Sequence, residues 1–235
     1  MKTKEEIIKK ELKPESFNEI AELRALMRIP ADASQDEIMK RFSIIAEAIK
    51  NDCIIKYMKD EYRILDFEFY FYNKNHQDIS VHPRNSEALC WYINDFGGID
   101  LNFESSIERD TENPFKYRLT NQSYFGGILI RQIQRLTDGF VFDGPWKVAE
   151  LFRKLNATSH DQDNPTLELS PLPAIDFKEP LKRHNLLGNH KDAKVKADYN
   201  IQECFTNVSD SLKQELEDKL VFFNDKKYRY CWKSK

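Results

Sequence analysis

The stretch YRILDFEFYFY, from Tyr62 to Tyr72, constrains this chain more than any other. Its aromatic and β-branched residues predict a strand, and a period of two puts Phe67, Phe69 and Phe71 on one face and Asp66, Glu68 and Tyr70 on the other. A strand that only closed a core would carry Val or Thr at position 68, because a carboxylate among Phe and Tyr costs free energy unless it has a partner or a task. Two readings stand side by side. In one, Glu68 pairs with an arginine across the sheet and Tyr70 is ordinary packing. In the other, the polar face lines a pocket, Glu68 holds and deprotonates a water, and Tyr70 offers its ring to a planar ligand.

The segment that follows, NKNHQDISVHPRN, is polar. His76, Asp78 and His82, with Glu68 nearby, have the residue types of a metal site. Their spacing fits no helix or hairpin ligand motif, so loop histidines that hydrogen-bond are the expectation, with no metal. Arg84 and Asn85 suit phosphate or base edges, or the cap of a turn.

Around this strand the periodicities set an order of elements. Residues 1 to about 30 read as amphipathic helix, and Ser34 with Glu37 forms a capping box that opens a second helix through Ile49. CIIKYM and YRILDFEFYFY form a hairpin; Ala88–Tyr92 is a short strand, Gly97 and Gly98 mark a turn, and IDLNFES alternates as a half-buried strand does. YFGGILIRQIQRL supplies another strand and DGPWKVAELFRKLN a helix. Residues 164–179 hold three of the nine prolines and are extended or loop. A helix after Ser209 and a last strand in KKYRYCWK close the chain. Strands joined by sequential hairpins, without strand–helix alternation, predict an α+β fold: a curved, mostly antiparallel sheet with surrounding helices. The division expected is a helical extension over 1–33 and one domain over 34–235.

Charge narrows the partners. With 36 Lys+Arg against 39 Asp+Glu the chain is close to neutral, so nucleic-acid binding needs a local basic patch. No segment has the length and apolarity to cross a bilayer and no secretory pattern opens the sequence, which makes a cytoplasmic protein without membrane contact the expectation. The four cysteines are scattered, without CxxC spacing, and read as free thiols.

The order of these segments resembles the alkyladenine, or 3-methyladenine, DNA glycosylases. Their motif of a hydrophobic pair followed by E-T-E-A-Y stands here as Ile64-Leu65-Asp66-Phe67-Glu68-Phe69-Tyr70. Arg84-Asn85 has a counterpart in that family, WYINDFGGIDLN is similar to its Y-x-x-Y-G segment ending in Asn, GGILIRQIQRL to its strand with a pocket arginine, and DGPWKVAELFRKLN to its G-P-x-K-L helix. The likeness runs from about Ala46 onward and lies in segment order.

The resemblance implies roles. Glu68 falls on the carboxylate that activates water against the glycosidic carbon, and Arg131 on the arginine near that water. Tyr70 and His82 fall on the residues that stack on the two faces of a flipped base, Tyr92 on a pocket tyrosine, and Asn102 on the asparagine at the base edge. The tyrosine that plugs the vacated duplex corresponds to Asp95 or, with a one-residue shift, Phe96; a short carboxylate would meet phosphate repulsion, which leaves Phe96 as the DNA wedge. The family's glycines and threonine between the catalytic strand and RN are missing here. Such enzymes use no cofactor or metal. The function implied is base-excision repair: hydrolytic release of an alkylated or deaminated purine from duplex DNA by a monomer. The alternatives are a non-catalytic module that binds a nucleobase or another planar ligand, and hydrolysis of a free nucleoside-like molecule, for which near-neutral charge is no handicap.

Overall fold

The computed structural model describes residues 19–93, 97–156, 165–183, 195 and 197–232. Helices α1 (Ile20–Leu26) and α2 (Gln35–Asn51) lead into strand β1 (Cys53–Tyr57). Ser34 caps α2 as its spacing to Glu37 predicts: its hydroxyl oxygen accepts from the Glu37 amide at 3.2 Å. The next strands are β2 (Asp60–Asn73), β3 (His76–Gln77), β4 (Trp91–Ile93) and β5 (Ile99–Asn102). A small hairpin of β6 (Glu108–Arg109) and β7 (Tyr117–Arg118) precedes β8 (Phe125–Arg135) and β9 (Val141–Asp143). Helix α3 (Pro145–Asn156), strand β10 (Thr166–Leu169), a π-helical turn (Asn200–Cys204), helix α4 (Asp210–Asn224) and strand β11 (Arg229–Cys231) follow.

The main sheet runs β10-β1-β2-β8-β5-β4, with β11 and β3 also on β2 and β9 on β8. Its pairings are antiparallel and it curls strongly into a half-barrel, so the chain is a mixed α/β protein of the coarse class its hairpins predict. Strand β2 is the spine: one edge takes β1, β11 and β3 in turn, while β8 runs along the other from Tyr62 to Tyr72. The β2–β8 register shifts on both sides of Asp66: between the Ile64–Ile133 and Asp66–Gln132 pairs Leu65 is extra on β2, and the next shift is on β8. Asp66 pairs Gln132 and Phe67 pairs Ile130, which leaves Arg131 as an extra residue, and a bulge of this kind re-aims a side chain and adds local twist.

The two faces of β2 have opposite chemistry. Phe67, Phe69 and Phe71 are fully buried under α2, where Phe42 stacks on Phe69 with ring centroids 4.4 Å apart and the planes 15° from parallel. Phe103 and Tyr228 close on the same ring of Phe42, at 5.7 and 5.3 Å. Leu23, Leu26, Met27 and Ile29, from α1 and the turn after it, join this core. The opposite face carries Asp66, Glu68 and Tyr70, and at its end Tyr72 stacks on Phe125 in a second apolar cluster with Ile79, Val81, Phe205, Leu216 and Leu220. Through that cluster α4 and the π-helical turn cover the polar side of the sheet.

Two expectations are corrected. The short strand expected over Ala88–Tyr92 lies at Trp91–Ile93, with Ala88 and Leu89 in a turn before it. The alternation in IDLN predicts a half-buried strand, yet all four residues of β5 are buried. Asp100 and Asn102 face the polar layer, which distant segments cover. Among the described residues no helix is long and apolar enough to cross a membrane.

Because Phe69 packs on Phe42, Phe67, Phe103 and Tyr230, Phe69→Ala opens a cavity at the centre of the core. It is expected to cost about 3–5 kcal/mol in urea unfolding at neutral pH; a loss under about 1 kcal/mol would mean that this stack does not anchor α2 to the sheet.

Candidate functional site

Cross-strand register sets the site out in rows. Glu68 of β2 lies beside Leu129 of β8, then Asp100 of β5, then Tyr92 of β4; one pleat along, Tyr70 lies beside Gly127 and then Asn102. Opposed residues of antiparallel strands share a face, so Glu68, Tyr70, Tyr92, Asp100 and Asn102 all belong to the polar layer. Tyr70 and Asn102 stand two strand spacings apart, about 10 Å.

At the floor of the layer Glu68 is fully buried. Its Oε2 accepts from the Tyr70 hydroxyl at 2.8 Å and from Arg131 Nη1 at 3.3 Å, and Arg229 Nε lies 3.9 Å from Oε1. Burial and the adjacent Glu68 charge hold the Tyr70 phenol well above its ordinary pKa, so Tyr70 stays a donor. Arg229 donates to both oxygens of Asp66, at 3.0 Å from Nε and 2.5 Å from Nη2. Arg131 Nε is buried without an acceptor among the described groups and lies 3.9 Å from Asp66 Oδ2. The bulge delivers Arg131 to this point between the two acids.

The upper part of the layer is built on Arg84. Its Nε donates to Asn102 Oδ1 at 2.8 Å, its Nη2 to Asp100 Oδ2 at 3.0 Å and its Nη1 to the His82 carbonyl at 3.2 Å. The guanidinium carbon lies 4.5 Å from the centre of the Tyr92 ring. Asn102 donates in turn to the Ser86 hydroxyl at 2.7 Å. A Cβ at position 127 would come within 2.3 Å of Arg84 Nη2, so glycine there lets the arginine lie down on the sheet. The His82 ring runs within 21° of Tyr92 at 6.0 Å and within 26° of Tyr199 at 6.4 Å.

Of the residues singled out in the sequence, Glu68, Tyr70 and Arg131 therefore meet directly, and His82, Arg84, Tyr92 and Asn102 form a second set on the same face. Asn85 does separate work: it is exposed, and its amide clamps the Ile107 backbone at 2.9 and 2.6 Å. Phe96, the wedge candidate, lies outside the described residues. His76 and Asp78 have other partners than a metal. His76 Nδ1 meets the Phe71 carbonyl at 2.7 Å and Nε2 the Tyr228 hydroxyl at 2.9 Å; Asp78 Oδ2 accepts from Arg183 at 2.6 Å. Among the described residues no three His, Cys, Asp or Glu side chains converge as metal ligands.

Sequence reasoning missed Asp100, Tyr199, Arg183 and Arg229. Arg183 lies 4.4 Å over the Tyr70 ring and also donates to the Phe223 carbonyl. Burial opposes its charge, but Asp78 and the groups beside it outweigh that and keep the guanidinium ionised. Asp100 was within reach, since it shares the alternation of Asn102. Arg183 and Tyr199 sit in stretches without a legible period.

Burial pushes the His76 imidazole down to about 4, from 6.5 when exposed. The unfolded chain thus takes up a proton through pH 6.5 that the folded chain refuses until about pH 4, so stability present above pH 6.5 is lost as pH falls across that window. The loss expected is up to about 3 kcal/mol. Urea unfolding of wild type and His76→Gln across this range checks it: the wild type carries a slope that the variant lacks, and equal slopes would contradict the assignment.

No family model matches the chain, and no solved structure matches it. The chain is similar to an uncharacterized protein of Acanthamoeba polyphaga mimivirus, 26% identical over 208 residues that cover 80% of this chain and 84% of the viral protein.

Proposed function

We propose that the half-barrel is of the alkyladenine glycosylase type and that the protein hydrolyses the N-glycosidic bond of a damaged purine in DNA. The observation that carries this reading is the Glu68–Arg131 contact at 3.3 Å, at the buried floor of a face that also carries Tyr70, Tyr92 and Asn102. A carboxylate shielded from bulk solvent is suited to take a proton from one held water as it attacks the sugar carbon. Arg131 Nε, a buried donor without an acceptor among the described groups, is suited to orient that water. Tyr70, His82 and Tyr92 supply the aromatic slot that repays the stacking lost when the nucleotide is extruded. Asn102 already bonds Arg84 and Ser86, and its carbonyl oxygen keeps a second lone pair for a base edge.

The second reading is a non-catalytic nucleobase-binding module. It is favoured by the two donors, Tyr70 and Arg131, that already share Glu68 Oε2, and by Arg183 over the Tyr70 ring. Release of hypoxanthine or 3-methyladenine from duplex DNA separates the two. Glu68→Gln is expected to slow release by about 10²–10⁴-fold, the range for a lost general base. Equal release by both proteins would remove Glu68 from the chemistry, and lesion binding without release by the wild type would favour the binding module.

A further inference from the structure

In the β11–β2 register Arg229 stands directly opposite Glu68, and Asp66 is its diagonal neighbour on the same face. Opposed residues of an antiparallel pair have Cβ atoms about 5 Å apart and are each other's natural partners; diagonal neighbours are farther, at about 7 Å. Arg229 nevertheless takes the diagonal. Its Nε lies 3.0 Å from Asp66 Oδ1 and its Nη2 2.5 Å from Oδ2, whereas its Nε is 3.9 Å from Glu68 Oε1. Two donors on two carboxylate oxygens make the forked geometry in which arginine binds most strongly. The hydrogen bonds to Asp66 raise Arg229 above its ordinary pKa, against the effect of burial.

Arg131 completes a ring of four charges. Its Nη1 lies 3.3 Å from Glu68 Oε2 and its Nε 3.9 Å from Asp66 Oδ2. Each acid therefore has one arginine within hydrogen-bond distance and the other at 3.9 Å. A second guanidinium bonded to Glu68 would favour its ionised form and weaken it as a base. Arg229 could supply that contact by a side-chain rotation, and at 19% it is the most exposed of the four side chains, against 9% for Arg131, 8% for Asp66 and 0% for Glu68. We infer that Asp66 is a positioning residue, which draws Arg229 away from Glu68 and so preserves the strength of that carboxylate as a base. This inference rests on the glycosylase reading of Glu68 and concerns how its base is tuned. The other charged or titratable groups near Glu68 are Tyr70 on its own strand, Arg183 from the segment after β10 and, beyond Leu129 in its row, Asp100 of β5. Arg183 and Asp100 keep their own partners, Asp78 and Arg84, when Asp66 is changed.

The test is single-turnover release of hypoxanthine from duplex DNA, followed against pH at fixed salt with full-length variants confirmed folded. Asp66→Asn keeps the size and one acceptor but removes the charge that holds Arg229. It is expected to slow release about tenfold on the plateau and to move the acid limb of the profile down by about one pH unit, because a carboxylate between two cations stays ionised to lower pH. Adding Arg229→Gln removes the intruding cation; the limb then returns to its wild-type position and the rate to within about threefold of wild type. Arg229→Gln alone leaves the Asp66 charge competing for Arg131 and moves the limb up, which keeps the test decisive if Asp66→Asn does not fold. A purely structural Asp66 slows release without moving the limb. An unmoved limb in the single variants, or one that does not return in the double variant, overturns the inference. Release by the wild type tells the failures apart: release with an unmoved limb leaves the glycosylase standing without this role for Asp66, whereas no release by the wild type removes both.

Discussion

Four carboxylates set against four arginines on one side of β2 are the constraint on which the other features depend. Asp66, Glu68, Asp78 and Asp100 are all buried, and an ion taken out of water costs several kcal/mol unless a partner and hydrogen bonds compensate. The partners come from different parts of the chain: Arg84 from the loop after β3, Arg131 from β8, Arg183 from the segment after β10 and Arg229 from β11. The Arg131 and Arg229 pairs fasten β8 and β11 to the central strand, the Arg84 pair fastens its loop to β5, and the Arg183 pair fastens its segment to the residues that follow β3. Losing one partner would strand a buried charge at a cost of about 3–5 kcal/mol, a large share of the 5–15 kcal/mol that holds a typical domain together.

The aromatic face makes that arrangement possible. Phe67, Phe69 and Phe71 lock β2 against α2, so the residues between them cannot slip a register without exposing the core. With the strand pinned, Glu68 is held where the β8 bulge brings Arg131, and Tyr70 where Gly127 leaves room on the sheet for Arg84. Polar residues in such a layer serve stability and chemistry together. The Glu68–Tyr70–Arg131 contact is both part of the charge balance and the proposed seat of catalysis.

Local signals made much of this legible. The alternation of β2, the Ser34–Glu37 cap of α2, the GGILI run of β8 and the Pro145 start of α3 depend on neighbours in the chain, and the structure has each element where its signal lies. The alternation also put Glu68 and Tyr70 on one face, and the expectation that Glu68 pairs with an arginine across the sheet holds for Arg131. What the sequence hid is long-range. Arg183 lies 105 residues from Asp78 and sits in a stretch with no period, and nothing local tells that it covers Tyr70. Burial of Asp100 follows from segments packed over β5, which the alternation of IDLN cannot encode. His76 was a weak metal candidate by residue type; its two ring nitrogens instead bond a carbonyl and a phenol that only the folded chain brings near.

The central claim is that Glu68 and Arg131 act as one unit on one water. Lesion release by wild type, Glu68→Gln, Arg131→Gln and the double variant, each confirmed folded, tests it as a double-mutant cycle. Groups that act as a unit lose their effect together, so the double variant is expected to be within about threefold of the slower single variant. Losses that multiply would contradict the claim, and Arg131 would then contribute independently of the Glu68 carboxylate.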